Sequence, residues 1–229
     1  MNYSQYTEQG TLSNFMYRVY GWMTLGLVIT AAIAYYVSSI PNLSYTIATK
    51  PILLTGLFIF QLGLVIVLSF FIFRMNFMLA LACYLLYAAT LGVTLSSIFL
   101  VYEMGSIYIT FFVTALMFGV MCIYGYFTKS DLTSIGSLGM MALIGIIIAS
   151  LINLYFKSST MDYIISGIGV IIFTLLTAYD SQKIKLMGQQ LMHDQEGMAK
   201  VALLGALTLY LDFINLFLFL LRFLGRRRD

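Results

Sequence analysis

Long apolar runs dominate the chain and are separated by short polar breaks. A helix that crosses a bilayer needs about 20 mostly apolar residues, and the chain contains seven such runs. They are residues 19–40, 52–73, 77–101, 107–127, 138–157, 163–183 and 199–222. The runs are continuous rather than alternating, and only helices or closed barrels satisfy every backbone amide inside lipid. The pattern therefore predicts an all-α polytopic membrane protein with seven transmembrane helices.

The segments between the runs carry residues typical of turns and loops. "SIPNLSYTIATKP" separates the first two runs, and "KIKLMGQQLMHDQEGMAK" separates the last two. His193, in the second of these stretches, is predicted to be a solvated loop residue. We predict a polar N-terminal segment over residues 1–18, a transmembrane domain over 19–222 and a basic C-terminal tail over 223–229.

Composition agrees with this pattern and excludes a soluble domain. The 229 residues are 61% hydrophobic and 9% charged, with a mean hydropathy of +0.96, whereas soluble domains carry about 25% charged residues. The length suits one compact helical bundle. No basic surface interleaved with aromatic residues indicates nucleic-acid binding. Cys83 and Cys122 both lie in apolar runs without a C-x-x-C motif, so we interpret them as core residues.

The positive charges do not decide the orientation. With seven crossings, six basic residues fall on each side of the membrane, so the positive-inside rule favours neither orientation. If the seventh run entered the membrane and returned, the division would become ten against two. A re-entrant seventh segment therefore stays open, and the loops other than the C-terminal tail favour an inside N-terminus.

A polar stripe runs along the seventh segment. The spacing of 3, 4, 3, 4 and 3 residues places its members on one helical face. They are Gly205, Thr208, Asp212, Asn215, Phe219 and Arg222. A helix with one polar face turns it toward protein or water rather than lipid. Packing alone explains a threonine or an asparagine there, but a lone carboxylate near mid-segment needs a proton or a partner.

The sixth segment offers such a partner. Ser166, Gly169, Phe173, Thr177 and Asp180 share one face at spacings of 3, 4, 4 and 3. Consecutive helices usually pack antiparallel, so we expect Asp180 and Asp212 to lie at overlapping depth. Two carboxylates within hydrogen-bond distance cannot both ionise cheaply and share a proton, which predicts a pH-sensitive latch. In the alternative interpretation, the two aspartates cap helix ends or pair with Lys183 and Arg222.

Other polar residues lie inside or at the ends of the runs. In the third run, Thr90, Thr94 and Ser97 share a face and suit either a narrow hydrated path or hydrogen bonds to neighbouring helices, and Thr177, Thr208 and Asn215 are further candidates for a pore lining. Gln61 is the strong dipole inside the second run. Arg74 ends that run, on the side where Asp180 would lie if the helices alternate.

Several stretches resemble the Bax inhibitor-1 family, also called TMBIM, with its bacterial YetJ- and YccA-like branches. The most specific are "TAYDSQKIK" and "LTLYLDFINLFLFLLRFLG" together. The likeness extends to "YRVYGWMTLGL", "FIFQLGLVIVLS", "LGVTLSSIFLVY" and "FGVMCIYGYFTKSDLTSIGSLGMMALIG", and so covers most of the chain.

The resemblance implies a seven-helix fold with the last helix central. It implies a pH-sensitive calcium leak in which Asp180 and Asp212 match the family's paired aspartates. Arg222 matches a family arginine whose glutamate partner falls on Gln61 here, a departure that removes a salt bridge. Arg74 matches loosely a basic residue that competes for the aspartates. The family is also linked to restraint of cell death in eukaryotes and to modulation of a membrane-anchored protease in bacteria.

The leading hypothesis is a leak channel for Ca²⁺ or another cation, gated by Asp180 and Asp212, which would also supply the oxygen ligands that hard cations prefer. We expect no tightly bound cofactor and no catalytic activity, with Ca²⁺, H⁺ and the lipid bilayer as partners and the bacterial inner membrane as location. An intramembrane aspartyl protease is disfavoured because G-x-G-D and Pro-Ala-Leu elements are lacking. A regulatory protein that acts on a membrane-anchored protease or on cell-death machinery, and a proton-coupled carrier, stay open.

Overall fold

The computed structural model describes residues 3–40, 42–192 and 194–228, and residues 3–9 by their backbone alone. His193 lies outside the described residues. The described part of the chain is almost entirely helical. Its α-helices are α1 Tyr3–Ser39, α2 Leu43–Thr49, α3 Pro51–Phe71, α4 Phe77–Leu95, α5 Ile98–Val101, α6 Met104–Phe127, α7 Thr133–Phe156, α8 Ser159–Gln190 and α9 Gln195–Leu224.

All seven predicted transmembrane segments are confirmed as helices. In the described residues, seven helices are long and apolar enough to cross a membrane, when the 3₁₀ turn Ile72–Arg74 is joined to α3 and the short α5 to α4. Local chemistry explains several ends: Pro51 occupies the first turn of α3, where its missing amide is harmless. The side chain of Asn76 caps α4 by accepting a hydrogen bond from the amide of Leu79, at 2.7 Å.

The structure corrects the expected lengths of the polar breaks. The first break contains the seven-residue helix α2. The long polar stretch between segments six and seven is mostly helical, because α8 continues to Gln190 and α9 already begins at Gln195. Likewise, α1 begins at Tyr3, inside the segment predicted as a separate polar leader. Lys, Gln and Glu are good helix formers, so a loss of hydrophobicity marks the end of the membrane span rather than the end of the helix.

The seventh segment forms one continuous helix that is long and apolar enough to cross the membrane. Helix α9 is continuous over 30 residues, and at 1.5 Å per residue this length exceeds a hydrocarbon core of about 30 Å. The re-entrant alternative is therefore wrong. Helix α9 is also the most buried span: 67% of its most apolar window is buried, against 17–44% in the other six described spans. This burial supports the predicted central position of the last helix.

The chain divides into two compact units. The first unit contains Met1–Val101, Ile184–Tyr210 and Arg228. Its core holds Tyr84 and Tyr210, both fully buried and in edge-to-face contact. A Cβ atom at Gly92 would lie 2.7 Å from the carbonyl oxygen of Thr30. Helices α1 and α4 therefore approach closely at a position that accepts glycine alone.

The second unit contains Tyr102–Lys183, Leu211–Arg227 and Asp229. Helix α8 packs in it against α6 and α7 through glycines: Gly125 faces the carbonyl of Ala178, and Gly136 faces the ring of Tyr179. A side chain at either glycine would collide with α8. Close backbone approach of this kind is a common way for membrane helices to associate, since lipid supplies no hydrophobic driving force between them.

Candidate functional site

The predicted contact between Asp180 and Asp212 is present in the structure. Both residues belong to the second unit, and their side chains are hydrogen-bonded to each other. Asp212 is only 5% exposed, whereas Asp180 is half-buried. The contact joins α8 to α9, and only four residues separate the end of one helix from the start of the next. Because this connection is short, α8 and α9 were expected to pack antiparallel, and this arrangement brings the two acids to the same depth.

A hydrogen bond between two carboxyl groups requires a proton. An ionised carboxylate can only accept hydrogen bonds, so at least one of the two side chains carries a hydrogen in the bonded arrangement. The second oxygen of Asp212, Oδ2, is buried and has no hydrogen-bond partner in the described residues. A buried polar atom without a partner costs about 1–3 kcal/mol, and more when it is charged. The arrangement is therefore compatible with a neutral or singly charged pair and strongly disfavours two charges.

One basic group lies close to this pair in the second unit. Lys183 interacts electrostatically with Asp180, and its ammonium lies 5.7 Å from the centre of the Tyr179 ring. Lys183 itself is exposed, so solvent weakens its influence. Asp180 therefore interacts with both Lys183 and Asp212, so the predicted aspartate contact and the alternative with Lys183 occur together.

Two residues that fix α8 around Asp180 were not predicted from the sequence. Ser181 donates a hydrogen bond to the carbonyl of Cys122, at 3.0 Å. Gln182 holds the connection between α6 and α7 from both sides: its oxygen accepts from the amide of Leu132 at 3.0 Å, and its nitrogen donates to the carbonyl of Ser130 at 2.8 Å. Asp180, Ser181 and Gln182 therefore contact three different neighbours. The sequence signal that could have identified Ser181 and Gln182 is the run of three polar residues, Asp180 to Gln182, after an apolar segment.

The candidate pore-lining residues all donate to backbone carbonyls three or four residues earlier in the chain. The hydroxyls of Thr90, Thr94 and Ser97 donate to carbonyls three or four residues earlier, as do those of Thr177 and Thr208. The amide of Asn215 donates to the carbonyl of Leu211, at 2.8 Å. This satisfies one donor of each group and leaves the hydroxyl lone pairs for other partners. Their part in a pore stays a prediction.

The other candidate gate residues lie in different surroundings. Gln61 is buried and donates from Nε2 to the Thr94 hydroxyl at 2.8 Å, which joins α3 to α4 in the first unit. Arg74, in the same unit, is exposed and lies 5.8 Å from the centre of the Phe71 ring. Arg222, in the second unit, is exposed and lies 5.7 Å from the centre of the Phe219 ring. It is ten residues beyond Asp212, about 15 Å along the helix axis.

The acid pair alone does not complete the oxygen shell of a hard cation such as Ca²⁺. In residues 3–40, 42–192 and 194–228 no three His, Cys, Asp or Glu side chains cluster together. Ca²⁺ prefers six to eight oxygen ligands. Two carboxyl groups provide at most four of them, so carbonyls, hydroxyls or water would have to complete the shell. Cys122 is buried as predicted, whereas Cys83 is only partly buried.

Seven helices that are long and apolar enough to cross a membrane define a polytopic integral membrane protein. Residues 12–229 match the family described as inhibitor of apoptosis-promoting Bax1. The chain is 50% identical over 218 residues to the inner membrane protein YbhL of Escherichia coli K12, covering 95% of this chain and 93% of that protein. It is 46% identical over 217 residues to an uncharacterized protein of Borreliella burgdorferi, covering 95% and 94% of the two chains.

A third relative extends the same likeness. The chain is 43% identical over 220 residues to the uncharacterized protein RP147 of Rickettsia prowazekii, covering 95% of this chain and 92% of that one. The chain therefore belongs to the Bax inhibitor-1 family, as its motifs indicated. Its spans and its relatives identify it as a multi-pass protein of the bacterial inner membrane.

Proposed function

We propose that this protein is a pH-sensitive leak for Ca²⁺ or a similar cation, gated by a proton that Asp180 and Asp212 share. The observation that carries the proposal is the hydrogen bond between their side chains, with Oδ2 of Asp212 buried beside it. The bond exists only while a proton is present. The bonded form is taken as the closed state, because Oδ2 of Asp212 is buried there.

Gating follows from the charge of the pair. When the pH rises and the proton leaves, two negative charges face each other in a poorly hydrated interior and repel. The contact between α8 and α9 then loosens, and the two carboxylates become oxygen ligands for a hard cation. When the pH falls, the pair holds its proton and the contact closes. The proposed leak therefore increases with pH. Lys183, the nearby cation, interacts favourably with the charged form of Asp180.

The proposed role of the two acids is gating and ion binding, without a catalytic step. An aspartyl protease would use the same two acids to activate water. Under the proposal the protein is a channel rather than an enzyme. Cleavage of a transmembrane peptide that depends on both aspartates would favour the protease.

The test is efflux of Ca²⁺ from liposomes containing the purified protein, between about pH 5 and about pH 9, a range that brackets a shared carboxyl proton. Wild-type efflux should rise with pH. Asp180→Asn and Asp212→Asn should each give low efflux at every pH, because an asparagine amide donates to the remaining carboxylate without titrating. Asp131→Asn, at an exposed carboxylate between α6 and α7, is the control and should keep the wild-type profile.

Two results would contradict the proposal. One is a wild-type pH profile in both asparagine variants. The other is absence of any cation efflux from wild-type liposomes, together with a stoichiometric partner captured by crosslinking, which would favour a regulatory protein without transport. Saturable, electroneutral exchange of Ca²⁺ for protons would instead indicate a carrier.

A further inference from the structure

The C-terminal tail is held in place by the connection before α6. In the second unit, the amide of Glu103 donates to the carbonyl of Arg226 at 3.1 Å, and the amide of Arg226 donates to the Ser106 hydroxyl at 2.9 Å. Tyr102 and Arg227 form an antiparallel bridge. The tail therefore has a defined backbone position rather than the freedom expected of a solvated chain end.

Arg222 lies at the end of α9, and Arg226 and Arg227 lie in the anchored segment; we call these three residues the arginine surface. All three are exposed. None of the three arginines forms an ion pair within 4.0 Å with a carboxylate of the described residues. The ion pair found there joins Lys200 to Glu196. Three positive charges are thus close together in the sequence and have no ion pair to a described carboxylate.

Aromatic and apolar side chains place this surface at the edge of the membrane. Arg222 lies in the last turn of a spanning helix, and Leu224 behind it is exposed. Phe223 stacks on the ring of Tyr163, near the start of α8, with ring centres 4.4 Å apart. Tyr155, in the last turn of α7, is also exposed. Aromatic residues of this kind concentrate at the membrane–water interface, and arginine side chains at helix ends extend toward the headgroups.

We propose that the arginine surface binds the headgroups of anionic phospholipids. The guanidinium group presents paired N–H donors that match phosphate oxygens and binds them bidentately. A fixed backbone lowers the conformational entropy lost on binding. The partner is lipid rather than a soluble anion because exposed apolar side chains flank the arginines. This inference does not depend on the proposed leak, and the tail binds lipid whether or not the protein conducts ions.

The experiment measures lipid binding to the full-length protein in detergent, by native mass spectrometry with phosphatidylglycerol and with phosphatidylcholine. Wild type should prefer phosphatidylglycerol. Arg226→Gln combined with Arg227→Gln should weaken phosphatidylglycerol binding by about fivefold for each charge removed, the scale for a basic residue at an anionic surface. The charge-matched control combines Arg74→Gln with Lys129→Gln, both exposed and outside the arginine surface, and should retain the wild-type affinity.

Several results would overturn the inference. Equal wild-type affinity for the two lipids would do so, as would an equal loss in the control variant. Inorganic phosphate that competes as effectively as phosphatidylglycerol would show a general anion site rather than a lipid site. If the double variant does not fold, the salt dependence of wild-type binding decides: affinity for phosphatidylglycerol should fall between about 50 mM and about 500 mM salt, and an unchanged affinity would contradict the inference.

Discussion

The hydroxyl of Tyr210 lies 2.6 Å from the hydroxyl of Thr30, and the direction of this hydrogen bond follows from its surroundings. Thr30 donates its one hydrogen to the carbonyl of Ala88, at 2.9 Å. Tyr210 must therefore donate to Thr30, and the chain of bonds joins α9, α1 and α4 inside the first unit. Tyr84 adds a second link by donating to the carbonyl of Trp22, at 2.9 Å.

The first prediction concerns this chain of bonds. Tyr210→Phe should lower the free energy of unfolding by about 0.5–1 kcal/mol, the usual net value of one hydrogen bond between membrane helices. Thr30→Val should cost more, because it leaves the buried Tyr210 hydroxyl without an acceptor. Unfolding of the purified variants in mixed micelles measures both. The double variant should be no worse than Thr30→Val alone, and a strictly additive loss would show that the two hydroxyls do not interact.

The second prediction tests the close approach of α6 and α8. Gly125→Ala should destabilise the protein by about 1–3 kcal/mol, because the new methyl group meets the backbone carbonyl of Ala178, which cannot rotate away. Gly119→Ala, on the same helix, is the control, since a Cβ there meets nothing within 4 Å. Thermal unfolding in detergent compares the two. Equal stability of both variants would show that the helices can separate at no cost.

The third prediction concerns the double hydrogen bond of Gln182. Gln182→Leu keeps a similar volume but leaves the buried amide of Leu132 without an acceptor, at a cost of about 1–3 kcal/mol. Amide hydrogen exchange in residues 128–132 should become faster, as measured by mass spectrometry. The control is Gln189→Leu, at an exposed position on the same helix, where exchange in that connection should not change. Unchanged exchange in Gln182→Leu would mean that other contacts hold the connection.

The fourth prediction follows from the start of α7. The Thr133 hydroxyl and then the Thr133 amide donate to the carboxylate of Asp131, and together they lower the pKa of that carboxyl. A lowered pKa in the folded state means that the contribution to stability is present above the unfolded pKa of about 3.9 and is lost as the pH falls through the folded value. Titration of ¹³C-labelled aspartate by NMR should show one carboxyl below its ordinary range. Asp131→Asn should remove that signal, and its persistence would assign it elsewhere.

Much of the fold was predictable because the membrane imposes a simple rule. Every buried amide must be satisfied within its own segment, so each run of about 20 apolar residues becomes a helix. The helix extensions around Gln190 and Gln195 were not predicted because hydrophobicity alone marked the segments, and polar helix formers continue a helix into water without it. The short helix α2 escaped prediction for the same reason.

For the candidate site, the sequence predicted the helical face on which each aspartate lies and its approximate depth in the membrane. Helical spacing placed Asp180 and Asp212 on the polar sides of consecutive segments, and a short connection made those sides meet. Ser181 and Gln182 could not be assigned in this way, because their partners, Cys122 and Leu132, lie 59 and 50 residues away. The spacing of residues within one helix does not show which distant backbone group a side chain will contact.

From its sequence alone, this protein is a seven-helix membrane protein that carries two acids on facing helices, since solubility in lipid and helical periodicity are local properties of the chain. The tertiary structure alone decided that Asp212 has a buried oxygen without a partner in the described residues, that Gln61 bonds to Thr94, and that the tail is anchored beside Glu103. Each depends on which backbones approach closely. That is determined by glycines and side-chain shapes acting across long separations in the chain.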